Sequence, residues 1–304
     1  MFKTSKVFVF IVNNIQTYSE LCKPKVVLML LITATVGMQL ASTNFIDVKL
    51  ILIANLGIGL AASSAAVINH LVDVNIDAIM IRTQGRPIVA GKVSNNNALF
   101  FALSLATTSM VLLTYYVNTL TAILTLLGIV GYAGIYTLYL KHRTSQNIVI
   151  GGLSGALPPL LGWTSVTGEI EIGGIVLLLI IFIWTPAHFW PLAIDRIEDY
   201  KKANVPMLPV THGIPYTKNC IIIYTLALLP VSLLPYFIDL IGEIYLVSAI
   251  LLGAWFLYSV LQLKYKPASG AAIKSFYVSI YYLLGLFSAM LIDHFYRLYL
   301  TLIL

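Results

Sequence analysis

From Ile51 to Ile68 the chain carries no charged residue, and the same kind of run returns along the rest of its length. About 20 apolar residues in helical form cross a ~30 Å hydrocarbon core. Inside that core each backbone amide must find its partner within the protein, so the spanning forms are helices and closed barrels. Barrel strands alternate apolar and polar residues, whereas these runs are continuous. With 59% hydrophobic and 10% charged residues in 304, composition overrides the two soluble domains that length alone would suggest. The runs predict an all-α membrane protein with about nine transmembrane helices, near 26–42, 50–70, 96–114, 119–140, 147–164, 172–194, 219–238, 244–262 and 273–295. Pro158 and Pro159 should kink the fifth.

The basic residues test that count. With nine spans, all of the 18 Lys and Arg except Lys49 and Arg297 fall on one side of the membrane. The positive-inside rule makes that side cytoplasmic, with the N-terminus cytoplasmic and the C-terminus outside. Residues 1–25 read as a retained segment at the membrane surface, 26–295 as one transmembrane domain with cytoplasmic loops 71–95 and 195–218, and 296–304 as a tail. Cys22 and Cys220 are far apart and form no CxxC pair, so both read as small apolar residues.

Against this background two cytoplasmic loops are rich in acid. Asn69, Asp73 and Asp77 are spaced i, i+4, i+8. At about 100° per residue each step of four drifts only ~40°, so a continuing helix would stack an amide and two carboxylates on one face. Asp195 and Asp199 repeat the spacing at the end of the sixth span. Stacked carboxylates repel. Mg²⁺ relieves that repulsion, since it takes hard oxygen ligands and is usually held by one or two carboxylates together with substrate phosphates. Arg82, Arg86 and loop lysines such as Lys202 are the candidates for the remaining phosphate oxygens. The plain alternative is a solvated, salt-bridged loop, which a single DxxxD beside arginine usually is. Two ladders on one side favour a Mg²⁺–phosphate site.

The residues around the ladders resemble the intramembrane prenyltransferases of the UbiA type. Asn69-x3-Asp73-x3-Asp77 is similar to the first aspartate motif of that superfamily, and Asp195-x3-Asp199 stands in the place of the second. A sharper likeness, to the branch that farnesylates haem, comes from Asp77-x2-Met80-x-Arg82-Thr83-x2-Arg86-Pro87, Asn147-Ile-Val-Ile-Gly-Gly and Ala156-x-Pro158-Pro159-x2-Gly162-Trp163. It continues in Trp184-Thr-Pro-Ala-His188-Phe189-Trp190, Asp199-Tyr200-x5-Pro206-Met207-Leu208-Pro209, Lys23-Pro24-Lys25 and Phe276-x2-Ser279-Ile280-x-Tyr282. The chain departs from that branch at Ala187, where a proline is usual, and at Asn204, where glycine is usual.

The resemblance implies farnesyl transfer from farnesyl diphosphate to a vinyl group of haem B, giving haem O and diphosphate, with Mg²⁺ assisting ionisation. It implies metal ligation and catalysis by Asp73, Asp77, Asp195 and Asp199, and diphosphate contacts from Asn69, Arg82, Arg86 and Lys202. The partners implied are farnesyl diphosphate, haem B and the lipid bilayer, and beyond them haem A synthase or a terminal-oxidase assembly. His188, two turns before Asp195, is either a hydrogen-bonded intramembrane imidazole or a haem contact; His70, beside Asn69 but turned about 100° from it, is a second haem candidate. Two other readings stay open: a UbiA-type enzyme with a quinone precursor or lipid glycerol as acceptor, and a secondary transporter, whose carboxylates belong near the bilayer midplane.

Overall fold

The computed structural model describes residues 15–266 and 268–303. Those residues form helices and connecting loops, with no strand among them. In chain order they are α1 (Ile15–Leu21), α2 (Pro24–Leu40), α3 (Val48–Val72), α4 (Val74–Ile79), α5 (Asn95–Tyr116), α6 (Thr119–Arg143) and α7 (Asn147–Thr167). Then follow α8 (Ile172–Asp195), α9 (Ile197–Lys202), α10 (Leu208–Thr211), α11 (Gly213–Phe237), α12 (Glu243–Tyr265) and α13 (Ala271–Ile303). Eight are long and apolar enough to cross a membrane, and α1 with α2, bent by 59° at Cys22–Lys23, brings the number to nine. Each apolar run of the sequence lies in one of them. Of the expected surface segment, residues 1–14 lie outside the described residues. The stretch from 296, expected as a tail, continues α13 to Ile303.

The bundle is apolar outside and partly polar within. Phe100, Leu127 and Leu251 face outward, while Ser64, Ser109, Thr121 and Thr137 are buried. Lipid gives helices no hydrophobic reason to associate, so small residues and interhelical hydrogen bonds must hold them together. Ser64 Oγ donates to the Ala102 carbonyl at 2.8 Å and Ser109 Oγ to that of Gly57 at 2.7 Å, joining α3 to α5. Where α2 crosses α7, Gly37 lies against the Pro159 carbonyl and Gly162 against that of Ala34, so a Cβ at either would collide with backbone. Pro158 and Pro159 interrupt α7 at Leu157, whose backbone stays right-handed, so the two halves form one span.

One irregularity positions the site. After Ile129, α6 widens into a π-helix over Val130–Leu140 before its last turn, Lys141–Arg143. An α-helix would set Lys141 about 180° from Tyr132, nine residues earlier. With the i→i+5 bonding of a π-helix, at roughly 82° per residue, the two come within about 20° of one face. Tyr132, Tyr136 and Lys141 accordingly line one cavity.

Candidate active site

At one end of the bundle a cavity of about 120 Å³ is lined by Asn69, Asp73, Asp77, Met80, Arg82, Arg86, Tyr132, Tyr136, Lys141, Tyr200 and Met207. The first ladder forms its wall. α3 gives way to α4 at Asp73, yet the helical bonds persist: the Asp73 N–H donates to the Asn69 carbonyl at 3.0 Å and the Asp77 N–H to that of Asp73 at 2.8 Å. The three side chains therefore share a face. All are buried, Asp73 at 2% exposure and Asp77 at 3%.

Buried carboxylates need compensation. Asp73 Oδ2 accepts from Asn69 Nδ2 at 2.7 Å and from Lys141 Nζ at 2.6 Å. Arg86 pairs with Asp77. Burial pushes the Asp77 carboxyl above its usual range, and the Arg86 guanidinium pulls it back. Lys23 Nζ donates to Asn69 Oδ1 at 2.5 Å from a left-handed backbone (φ 51°), a conformation that costs a non-glycine residue of order 1 kcal/mol or more. Its hydrogen bond at the head of the ladder, with Pro24 opening α2 behind it, fixes that geometry.

The Arg-Thr-x-x-Arg-Pro loop is built to deliver Arg86. Thr83 is buried, and its hydroxyl donates to the carbonyls of Asp77 at 2.9 Å and Met80 at 3.1 Å, which folds the chain back on the ladder. Arg82 stays at the rim beside Tyr200; burial pushes that phenol up, and Arg82 pulls it back.

The second ladder is placed differently. α8 ends at Asp195, which is exposed and pairs with Arg196 at 3.2 Å. Asp199 sits on α9 outside the cavity wall, although the next residue, Tyr200, is part of that wall. Lys202 is exposed at the end of α9. Asn204 takes a left-handed backbone (φ 53°), which asparagine tolerates best after glycine. His188 is packed away from the cavity, stacked on Trp184 and Phe276 at 4.1 and 4.5 Å, with Nδ1 2.7 Å from the Ser279 hydroxyl. Trp184 donates to the Ser279 carbonyl at 2.9 Å, so the Trp-Thr-Pro-Ala-His motif of α8 and the Phe-x2-Ser motif of α13 form one latch.

Lys141 and the tyrosines were not singled out from the sequence. Lys141 looked like any cytoplasmic anchor, and only the π-helix turns it onto Asp73.

No cluster of three or more His, Cys, Asp or Glu suited to a metal occurs among the described residues. The donor set nevertheless fits Mg²⁺ shared with a ligand. Asp73 Oδ1 is buried without a hydrogen-bond partner, an anionic oxygen left uncompensated. Mg²⁺ takes one or two protein carboxylates and draws the rest of its shell from phosphate and water.

Comparison with known proteins agrees with this fold. The model of the UbiA prenyltransferase family matches residues 30–291. A protoheme IX farnesyltransferase of Legionella pneumophila (strain Paris) is 53% identical over 279 residues, covering 92% of this chain and 95% of that protein. Among solved structures, one from work on digeranylgeranylglyceryl phosphate synthase superimposes with a TM-score of 0.78 at 22% identity, covering 93% of this chain and 99% of that one. A UbiA homologue from Archaeoglobus fulgidus bound to DMAPP and Mg²⁺ gives 0.62 at 14% identity, over 90% of this chain and 99% of that one.

Proposed function

Because this chain belongs to the UbiA prenyltransferase family, we propose that it transfers the farnesyl group of farnesyl diphosphate to a vinyl group of haem B, giving haem O. The observation that carries the chemistry is the ladder cavity, in which Arg82, Arg86 and Lys141 face Asp73 and Asp77 and one buried carboxylate oxygen has no partner. The acceptor comes from the Legionella relative, at 53% identity over 92% of this chain.

Three cations against two carboxylates leave the cavity positive, ready for a divalent ion together with a diphosphate. Asp73 Oδ1 and Asp77 would hold Mg²⁺, with Asn69 keeping Asp73 in register. Bound there, Mg²⁺ acts as a Lewis acid on the leaving diphosphate. Lys141 and Arg86, which now neutralise the ladder, are then free to turn to phosphate oxygens, and Arg82 reaches them from the rim. The cavity is sized for the diphosphate head, so the C15 chain lies among the helices. When the allylic C–O bond breaks, its electron pair leaves with the diphosphate. Tyr132 and Tyr136, which line the same cavity, are the aromatic groups available to the developing cation. The vinyl π pair then forms the new C–C bond, and the cation left on the porphyrin side takes the oxygen of a water, which releases a proton. Keeping water from the allylic cation until then requires a dry chamber.

Asp195 and Asp199 fit a second ion arriving with the diphosphate, since α9 already sets Tyr200 on the cavity wall. On this reading Asp199→Asn lowers turnover, and by less than Asp73→Asn does. The cavity end carries the basic loops, so the reading puts the site on the cytoplasmic face, the N-terminus inside and the C-terminus outside. The direct experiment incubates the purified chain with farnesyl diphosphate and haem B and follows haem O by mass spectrometry. Formation that stops on addition of EDTA supports the reading. Absence of any farnesylated haem in the presence of Mg²⁺ rejects it.

A further inference from the structure

A second cavity, about 320 Å³ and more open, adjoins the first. Its lining is Glu20, Lys23, His70, Arg82, Gly85, Arg86 and Pro87, so Arg82 and Arg86 stand between the two spaces. Asn69 and His70 are consecutive in α3, and the turn of about 100° between them sends Asn69 to the ladder and His70 to this neighbour. His70 is 4% exposed, and neither ring nitrogen has a hydrogen-bond partner. A buried imidazole with both nitrogens unmet is costly unless a ligand completes it.

Arg86 is already paired with Asp77, which leaves Lys23, Arg82 and a donor against one exposed acid, Glu20, and these call for an anion. No pair of carboxylates lines this space, so its ligand is an anion that needs no metal. We propose that this cavity binds a carboxylate of the acceptor, the propionate edge of haem, with the His70 N–H donating to it and Lys23 and Arg82 supplying charge. The inference rests on haem being the acceptor. It accounts for the shared arginines: diphosphate on one side and carboxylate on the other hold both amphipathic substrates with their polar ends at the same rim. The volume is at the low end of the roughly 300–1,000 Å³ typical of pockets that enclose a whole ligand, which suits a carboxylate edge better than the ring.

The test compares haem B with its dimethyl ester as acceptor, using the full-length purified protein, farnesyl diphosphate and Mg²⁺. A hydrogen bond to a charged group is worth enough that the ester should show a KM about tenfold higher in the wild type. His70→Phe should raise the KM for haem B toward that of the ester and leave the KM for farnesyl diphosphate unchanged, which also shows that the variant is folded. His70→Gln, which keeps an N–H donor, should restore most of the preference. Glu20→Gln, at an exposed position, should lower the KM for haem B about twofold without affecting the ester. Equal use of acid and ester by the wild type overturns the proposal. So does a change in the KM for farnesyl diphosphate in any of the three variants, which would assign the cavity to the diphosphate. A shifted Soret band in His70→Gln would make His70 an iron ligand and overturn it too. Absence of haem farnesylation by the wild type would instead reject the acceptor itself.

Discussion

Of the three aspartates almost fully buried among the described residues, Asp73, Asp77 and Asp293, the first and last lie at opposite ends of the bundle and are treated in opposite ways. Asp293 of α13 is 1% exposed, and both its oxygens are satisfied: the Gly242 N–H donates to one at 2.8 Å and the Tyr245 N–H to the other at 2.9 Å. It caps the N-terminus of α12 from a neighbouring helix, meeting orphan donors and the positive end of the helix dipole. Asp73 is 2% exposed, and only one of its oxygens is met. Burial alone marks neither as functional; what separates them is the remaining valence. The satisfied carboxylate holds helices together, and the unsatisfied one is, on the proposed reading, the ligand of a cation.

Substitutions can sharpen or break that contrast. The largest effect is expected for Asp73→Asn, which keeps shape and removes charge. Turnover should fall about 10²–10³-fold, as for the loss of a main electrostatic stabiliser, with thermal unfolding in detergent little changed. A variant that turns over normally would end the distinction. Lys141→Met should cost about tenfold to a hundredfold in turnover. The same change should tighten Mg²⁺ binding, read by the metal's stabilisation of the protein, because the ion no longer competes with the ammonium for Asp73. Asp293→Asn reverses the pattern: stability should drop by about 1–3 kcal/mol as one backbone donor loses its acceptor, while turnover of the folded fraction stays near wild type. The smallest effect belongs to the latch. Ser279→Ala should cost about 1 kcal/mol of stability and leave the bound-haem spectrum unmoved, because His188 faces Ser279 and aromatic rings. A spectral shift would return His188 to the haem.

The contrast was only half legible in the residues. Asn69, Asp73 and Asp77 declared themselves by spacing, because the helical period puts them on one face wherever the helix leads. Asp293 gave no such signal, since the groups that satisfy it lie in another helix some fifty residues earlier. Asp195 and Asp199 share the same spacing, yet the turn at Arg196 ends α8 and leaves both off the cavity wall. Spacing reports a shared face only while the helix continues. His188, read as either a packed imidazole or a haem contact, is packed by three aromatic rings and a hydroxyl from α8 and α13.

The sequence by itself determined that the chain is a helical membrane protein, where its spans lie, and that a carboxylate ladder ends one of them. Hydrocarbon thickness and the helical repeat are local constraints that any such run must obey. Tertiary structure decided what compensates the ladder. Lys23 comes from the start of α2, Lys141 from a π-helix that departs from the α repeat, and Arg86 from the loop that Thr83 folds back on the ladder. Compensation of a buried charge depends on distance in space, and the order of residues along the chain does not record that distance.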